Sequence, residues 1–321
     1  MKANFNVQLY QNRKFVWFVS FALCLISIIG MLICFKSPKI QAPLKLGLDY
    51  TGGTQITLER SCNDDCSILN TSEISNNIIG LKKLDKNFSL INSPNLTTSQ
   101  IQLLDNSKLI SIRLPFLSAA QSESVVAEVN KSFGPFVYEN TSVETIGPSL
   151  GKQLLKSSLI SLLFAFLGIA LYINFRYDRR YSFLALFALF HDVVIVCGVF
   201  SWLGYFANVE VDSLFAVSLL TIAGYSVNNT VVVFDRIREK SSLDNQLSFK
   251  YQIDKAVSAT LTRTLYTSFT TLLPLICILI WGGSSLYWFA LSLVIGVIAG
   301  SWSSIALAPS LLSITSNKEF D

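Results

Sequence analysis

Charged residues and histidine are both scarce in this sequence. Only 14% of the 321 residues are Asp, Glu, Lys or Arg, whereas ordinary soluble domains are about a quarter charged. His191 is the single histidine, which excludes HExxH zinc sites and histidine clusters. A net charge of +4 is too small to indicate nucleic-acid binding. No Rossmann fingerprint follows a strand, and residues 147–153 have too short a spacing between glycines for a phosphate-binding loop. We therefore expect no catalytic residues, no cofactor and no metal.

Apolar residues, in contrast, are abundant and occur in long runs. Hydrophobic residues make up 51% of the chain, and the mean hydropathy is +0.49. Six runs of about 20 residues have the length that a transmembrane helix requires: 15–35, 157–175, 181–204, 211–234, 265–281 and 286–307. The first run is longer than the 7–15 residues typical of a signal-peptide core. We therefore predict a polytopic α-helical membrane protein with six spans and a retained first anchor.

The distribution of Lys and Arg predicts the orientation in the membrane. Basic residues precede the first run and lie in the loops after the second and fourth runs. The connectors after the third and fifth runs, "YFANVEVD" and "GGSS", contain none. Because short cytoplasmic loops carry an excess of Lys and Arg, both termini are predicted to be cytoplasmic.

The polar segment between the first two runs is predicted to be one extracytoplasmic α+β domain. Residues 48–59 are predicted to be a strand that begins beside a turn at Asp49, Gly52 and Gly53. Two helices are predicted at 72–84 and 119–133, and three further strands complete a β-α-β-β-α-β order, which is the ferredoxin-like arrangement. The predicted divisions are 1–36 for the N-terminus and first span, 37–150 for this domain, 151–313 for spans two to six, and 314–321 for a cytoplasmic tail.

Two cysteines lie in the predicted extracytoplasmic domain. Cys62 and Cys66 flank the turn-prone residues Asn-Asp-Asp, and an oxidising compartment permits a disulfide between them. The alternative is a pair of reduced thiols in a surface loop, because the sequence does not define the Cα separation that a disulfide requires.

The most informative residues are polar and lie inside the predicted spans, where ionisable groups are energetically costly and usually functional. His191 and Asp192 lie near the middle of the third span. In the fourth span, one helix face is predicted to carry Ser218, Thr221, Tyr225 and Asn229, with Gly224 and Asn228 beside it. In the fifth, Arg263 shares a face with Thr267. In the sixth, Gly296 and Gly300 form a GxxxG pair that permits close helix packing, and Gly224 of the fourth span is also expected to be a packing position.

Each of these polar residues also has a purely structural interpretation. Buried hydroxyls and amides join membrane helices by hydrogen bonds of about 1 kcal/mol, and we favour that interpretation for serine and threonine. For His191 and Asp192 the two interpretations are balanced, since a buried acid must be paired or neutral. Arg263 cannot lose its charge, so it either extends to the cytoplasmic surface or faces acceptors within the bundle.

Several ordered motifs together resemble the SecF family, which forms an accessory complex with SecD in the bacterial Sec translocase. They are "LGLDYTGGT", "IGPSLGKQL", "FRYDRRYSFLALFALFHDVVIVCGVF", "LLTIAGYSVNNTVVVFDRIRE", "LTRTLYTSFTTLL" and "FALSLVIGVIAGSWSSIALAPSLL". The resemblance implies a six-helix half bundle of the RND type in the bacterial inner or plasma membrane. It implies SecD, the SecYEG channel and preproteins as partners, with YajC and YidC as further candidates. It also implies use of the proton-motive force.

One position departs from the family pattern. The fourth span of SecF proteins usually reads Asn-Asp-Thr, whereas this chain has Asn228-Asn229-Thr230. Asn229 cannot titrate, so a proton-carrying acid would have to come from SecD, with Arg263 as its counter-charge, or be Asp192. Alternatively, this half is structural. We hypothesise the first arrangement, with Asn228 and Asn229 orienting a partner acid. A half-size RND exporter and a scaffold without energy coupling remain alternative functions.

Overall fold

The computed structural model describes residues 9–38, 40–62, 66, 69–84, 95–96, 99–104, 107–137, 139, 141–243 and 248–315. These residues divide into two compact units, 47–157 and the remainder of the chain. The six predicted spans are confirmed, because six helical segments among the described residues are long and apolar enough to cross a membrane. They are α1 (Arg13–Lys36), α5 (Pro148–Arg176), α6 (Arg179–Ala207), α7 (Ser213–Leu243), α8 (Phe249–Trp281), and a last segment made of α9 (Gly283–Trp302), a π-helical turn (Ser303–Leu307) and α10 (Ala308–Thr315).

Several of these helices extend beyond the apolar runs. The helix of the second span begins at Pro148 rather than 157, and that of the fifth begins at Phe249 rather than 265. The added turns contain polar residues such as Lys152 and Lys250. Hydropathy detects only the part of a helix that suits hydrocarbon, whereas helical hydrogen bonding continues through polar residues of good helix propensity.

Helix α6 is largely buried inside the bundle. α1, α7, α9 and α10 all pack against it, and α7 also packs against α8 and α9. Many side chains of α6 between Ser182 and Gly204 are buried, whereas α5 exposes large apolar side chains such as Phe164 and Phe175. Lipid can cover apolar side chains but cannot satisfy buried polar groups. The polar residues of α6 must therefore be satisfied by the helices around it.

The other unit is built on one antiparallel sheet. Its elements follow the predicted β-α-β-β-α-β order: β1 (Gly53–Glu59), α3 (Thr71–Leu84), β2 (Gln100–Leu104), β3 (Leu109–Leu114), α4 (Ala119–Phe133) and β4 (Ser142–Ile146). The strands are arranged β2-β3-β1-β4, and Ile56 pairs with Ile112 of β3 and with Val143 of β4. Alternate β1 and β3 side chains are buried beneath the two helices. The ferredoxin-like classification remains an interpretation of this order.

The start of the first strand was predicted wrongly. Leu48–Thr51 forms a short helical turn, α2, and the strand begins at Gly53. Gly52 and Gly53 have φ values of 69° and 129°, which L side chains rarely adopt. Two successive glycines can therefore reverse the chain direction between Asp49 in α2 and β1.

Further along the unit, Cys62 and Cys66 are joined by a disulfide, with their Cα atoms 5.6 Å apart.

Gly53→Ala is expected to destabilise this unit by about 1–3 kcal/mol, the usual cost of a strained backbone conformation. A Cβ atom at this position would lie 2.6 Å from the carbonyl oxygen of Leu114, and that oxygen belongs to the neighbouring strand. Pulse proteolysis of the full chain in urea measures the change. Gly80→Ala is the control, because a Cβ at Gly80 on α3 meets no atom of the described residues within 4 Å. Equal stability of the two variants would contradict this interpretation.

Candidate functional site

Asp192 is the centre of a polar cluster inside the bundle. Its carboxylate is 0% exposed and lies within hydrogen-bond distance of three side chains. The Ser226 hydroxyl on α7 donates to Oδ2 at 2.6 Å, and the Ser303 hydroxyl donates to the same oxygen at 2.7 Å. His191 Nδ1 lies 2.9 Å from Oδ1. The sequence predicted a buried acid that must find partners, and these are the partners. Three helical segments therefore meet at one carboxylate.

The backbone beside this carboxylate is unusual. Ser303 is the first residue of the π-helical turn that joins α9 to α10, and single π turns in α-helices are frequent at functional sites. Gly300 lies one turn earlier, where a Cβ would be 3.6 Å from Asp192 Oδ2 and 3.2 Å from the Ser226 side chain. The absence of a side chain at Gly300 brings the α9 backbone close to the carboxylate.

The GxxxG pair packs α9 onto α7. A Cβ at Gly296 would overlap the side chain of Ile222, which is fully buried, and Gly300 faces Ser226 in the same way one turn later. Gly224 does not have the predicted packing role within this chain. A Cβ there meets nothing within 4 Å among the described residues, because Gly224 is on the outward face of α7.

A second set of hydroxyl groups connects α7, α8 and α9. The Tyr225 hydroxyl donates to Ser268 Oγ at 2.8 Å, and Ser268 Oγ lies 2.6 Å from Ser301 Oγ. Thr267, which the sequence placed with these polar groups, instead donates to the Thr264 carbonyl of its own helix at 2.9 Å and is exposed. The Tyr225–Ser268 contact therefore fixes the relative height of α7 and α8.

The two adjacent asparagines point in different directions. Asn229 is 5% exposed, and its Nδ2 has no hydrogen-bond partner among the described residues. Asn228 is exposed on the outer face of α7. The two amides therefore lie on different faces of α7, since consecutive residues are about 100° apart around a helix of 3.6 residues per turn. That they orient a partner acid stays a prediction.

Arg263 is exposed on α8 and faces the groove between α7 and α8. It makes no hydrogen bond or ion pair within the described part of the chain. It lines a cavity of about 360 Å³ together with Val232, Asp235 and Glu239. Thr230 is five positions after Tyr225, and Arg263 is five positions before Ser268. Because α8 runs back along α7 with a rise of about 1.5 Å per residue, Arg263 lies at about the height of Asn229 and Thr230.

Sequence reasoning missed a polar contact at the end of α5. Arg176 forms an ion pair with Asp235 of α7 at 3.1 Å, and the Tyr177 hydroxyl donates to the same carboxylate at 2.8 Å. Burial of Tyr177 raises the pKa of its phenol, and the hydrogen bond to Asp235 raises it further. The phenol therefore keeps its proton and remains a donor.

The positions of Ser226 and Ser303 were also missed. Serine is common in this chain, and no sequence pattern indicates which serines face an acid.

Comparison with known proteins places the chain in a family. Residues 125–318 match the model described as protein export membrane protein SecD/SecF, C-terminal, and residues 40–64 match the SecD/SecF GG motif. The protein translocase subunit SecF of Prochlorococcus marinus is 52% identical over 98% of this chain and 96% of that protein. The SecF subunit of Synechocystis sp. is 38% identical over 95% and 93%.

A solved structure has the same fold. The crystal structure of SecDF from Thermus thermophilus, described as a translocon-associated membrane protein, is similar with a TM-score of 0.78 and 27% identity. The match covers 99% of this chain but only 39% of the SecDF chain. Together with six membrane-spanning helices and a polar bundle interior, these similarities show that the chain belongs to the SecF family of protein translocase subunits.

Proposed function

We propose that this chain acts with SecD to promote preprotein translocation through the SecYEG channel, using the proton-motive force. Its place is the bacterial inner or plasma membrane, with both termini in the cytoplasm, as the distribution of Lys and Arg predicts. YajC and YidC are further candidate partners. Moving one charge through 100 mV is worth about 2.3 kcal/mol, which is enough to bias an equilibrium between two conformations.

One observation carries the proposal, and it is the open polar face of α7 and α8. Thr221 and Asn228 on α7 and Arg263 and Thr267 on α8 are all exposed, although both helices are of membrane-spanning length. Ionisable residues within spans almost always face a bundle interior or a water-filled cavity. The face is therefore incomplete without a second group of helices. The matched SecDF chain, whose name joins the two subunits, supports SecD as the source of those helices.

The same face suits a carboxylate from SecD. Asn228 and Arg263 provide an amide and a permanent cation that lie within about one helical turn of each other in height, given a rise of about 1.5 Å per residue. A partner acid at this height would gain charge-assisted hydrogen bonds from the guanidinium. It would also replace the titratable group that Asn229 does not provide. We propose that Asn228 and Arg263 orient this acid while Asn229 supports it from within the bundle.

The test is preprotein import into proteoliposomes that contain SecYEG, SecD and this chain, with and without a protonophore. The protonophore is expected to reduce the stimulation by SecD and this chain by up to about 50-fold, the factor that corresponds to 2.3 kcal/mol. Stimulation that survives the protonophore would support an uncoupled scaffold instead. Small-molecule export without SecD would support a half-size exporter.

The partner acid is tested in the same vesicles by proton flux. Replacing the acid of the fourth SecD span by its amide is expected to abolish SecD-dependent flux. Asn229→Asp in this chain, which restores an acid at the family position, is expected to recover part of it. Unchanged flux after the SecD substitution would contradict the proposal that SecD provides the proton-carrying acid. The acid would then have to be another residue of the complex.

A further inference from the structure

Asp192 and His191 lie outside the open face and form a separate ionisable centre. Both are buried, at 0% and 2% exposure, and His191 Nε2 has no hydrogen-bond partner in the described part of the chain. A carboxylate that only joined helices would not require a neighbouring imidazole with one free nitrogen. An aspartate with no counter-charge at this depth is costly, and the imidazole can remove that cost by holding a proton between the two groups.

The helix stretches that face this pair carry no fixed charge of their own. The facing apolar stretches 15–35 of α1, 213–234 of α7 and 283–315 of the last segment contain no Asp, Glu, Lys or Arg. The thiol of Cys24 on α1 is a titratable group on a facing helix that is near enough to interact electrostatically with Asp192. Tyr225 of α7 directs its hydroxyl to Ser268. A change in the charge of the pair is therefore not compensated by a fixed charge on these stretches.

We propose that His191 and Asp192 together bind and release one proton within this chain, and that Ser303 transmits the change to the α9–α10 segment. The proton-free pair, neutral imidazole with carboxylate, carries one negative charge. Uptake of one proton makes the pair neutral overall, as imidazolium with carboxylate or as imidazole with carboxylic acid. The coupling part of this inference rests on the proposed function, whereas the proton site itself does not.

Ser303 has two alternative acceptors, which makes it suited to transmit the change. Its hydroxyl donates to Asp192 Oδ2 at 2.7 Å, and the carbonyl oxygen of Gly300 lies 3.2 Å from the same Oγ. A carboxylate only accepts hydrogen bonds, whereas a carboxylic acid must also donate one. When Oδ2 carries the proton, Ser226 or Ser303 must give up its donation. Ser303 then has Gly300 as a second acceptor within its own helix.

The π-helical turn gives this switch a structural consequence. The turn begins at Ser303, and π turns are local departures from α-helical bonding that are frequent at functional sites. Loss of the Ser303–Asp192 bond removes one contact that holds the turn against α6. The last segment and α6 are therefore linked more strongly when the carboxylate is charged than when it is protonated.

The single histidine makes the proton site directly measurable. The full chain is assembled with SecD in lipid nanodiscs, with ¹⁵N-histidine in this chain only, so that the imidazole signals come from His191 alone. The expected result is that the imidazole signals change with pH and that the ¹⁵N chemical shift of Nδ1 is that of a hydrogen-bonded nitrogen. Asp192→Asn is expected to remove that shift and to abolish the uptake of one proton. Signals that do not change with pH, or that change identically in Asp192→Asn, would overturn the proposal.

Two milder variants keep the test valid if Asp192→Asn does not fold. Ser226→Ala and Ser303→Ala each remove one donor to the carboxylate, so each is expected to change the pH at which the His191 signals change. Ser292→Ala is the matched control, because Ser292 is buried in α9 but donates to the Phe289 carbonyl of its own helix at 2.7 Å. If Ser226→Ala and Ser303→Ala both behave like this control and the wild type, the proposal is wrong.

A translocation assay separates this inference from the proposed function. Asp192→Asn is expected to reduce proton-driven import by about tenfold or more, the factor that corresponds to losing one charge-assisted hydrogen bond. If the His191 signals change with pH but import is insensitive to a protonophore, the proton site stands and the proposed function fails. If import is protonophore-sensitive but His191 shows no proton exchange, the proposed function stands and the site fails.

Discussion

Gly296→Leu is expected to separate α9 from α7 and to destabilise the bundle by about 1–3 kcal/mol or more, as overpacking of a buried contact does. Even a Cβ at this position would overlap the side chain of Ile222, which is fully buried between the helices. The added side chain would also displace Gly300, one turn away, from the carboxylate of Asp192. The effect should appear as a lower melting temperature of the detergent-solubilised complex and a smaller yield of assembled complex.

The control for this prediction is Gly168→Leu. Gly168 lies in the membrane-spanning helix α5, and a Cβ there meets nothing within 4 Å among the described residues. Leucine at that position adds the same volume in the same membrane environment. A melting temperature that falls equally in both variants would mean that glycine in any span is required, and that the α7–α9 contact has no special importance.

Arg263→Gln is expected to reduce protonophore-sensitive import by about tenfold or more, since a hydrogen bond to a charged group contributes about 1.5–3 kcal/mol. Its guanidinium is exposed on the open face and has no partner within the described residues. If SecD provides the acid, glutamine retains a donor but loses the charge. Arg263→Lys is expected to retain part of the activity, because lysine keeps the charge without the bidentate geometry of arginine.

Arg238→Gln is the matched control for Arg263→Gln. Arg238 is exposed near the end of α7, and its loss changes the net charge by the same amount. Surface charges of this kind contribute little to stability, so import should remain close to the wild-type level. Protonophore-sensitive import that is unchanged in Arg263→Gln would show that the guanidinium serves only to anchor α8 at the membrane surface.

The order of secondary structure was largely predictable because it depends on local patterns. Hydrocarbon requires about 20 apolar residues per helix, so six apolar runs were sufficient to predict six spans. Short pieces of alternating apolar residues indicated the strands of the polar segment, and β1 and β3 show that alternation in their burial. The short helix α2 was missed, because its four residues continue the apolar alternation of the strand that follows Gly52 and Gly53.

The site was only partly predictable. The cost of burying ionisable groups identified Asp192, His191 and Arg263 as exceptional residues, but it did not indicate what they contact. Ser226 and Ser303 are 77 residues apart in the numbering, and both donate to Asp192. Helical periodicity assigns a residue to a face of its own helix and contains no information about which helix lies opposite. The same limitation led to the error at Gly224, which was expected to pack and is exposed.

The amino-acid sequence alone was sufficient for the number of spans and the order of strands and helices, because these follow from composition and local order. The resemblance of its motifs to a known family was sufficient for the family and for the missing acid at Asn229. Tertiary structure was required to separate the inward Asn229 from the outward Asn228 and Arg263, and to join α6, α7 and the π-helical turn at one carboxylate. The physical reason is that a hydrogen bond across a helix bundle depends on helix rotation and height, which are set by packing of the entire bundle.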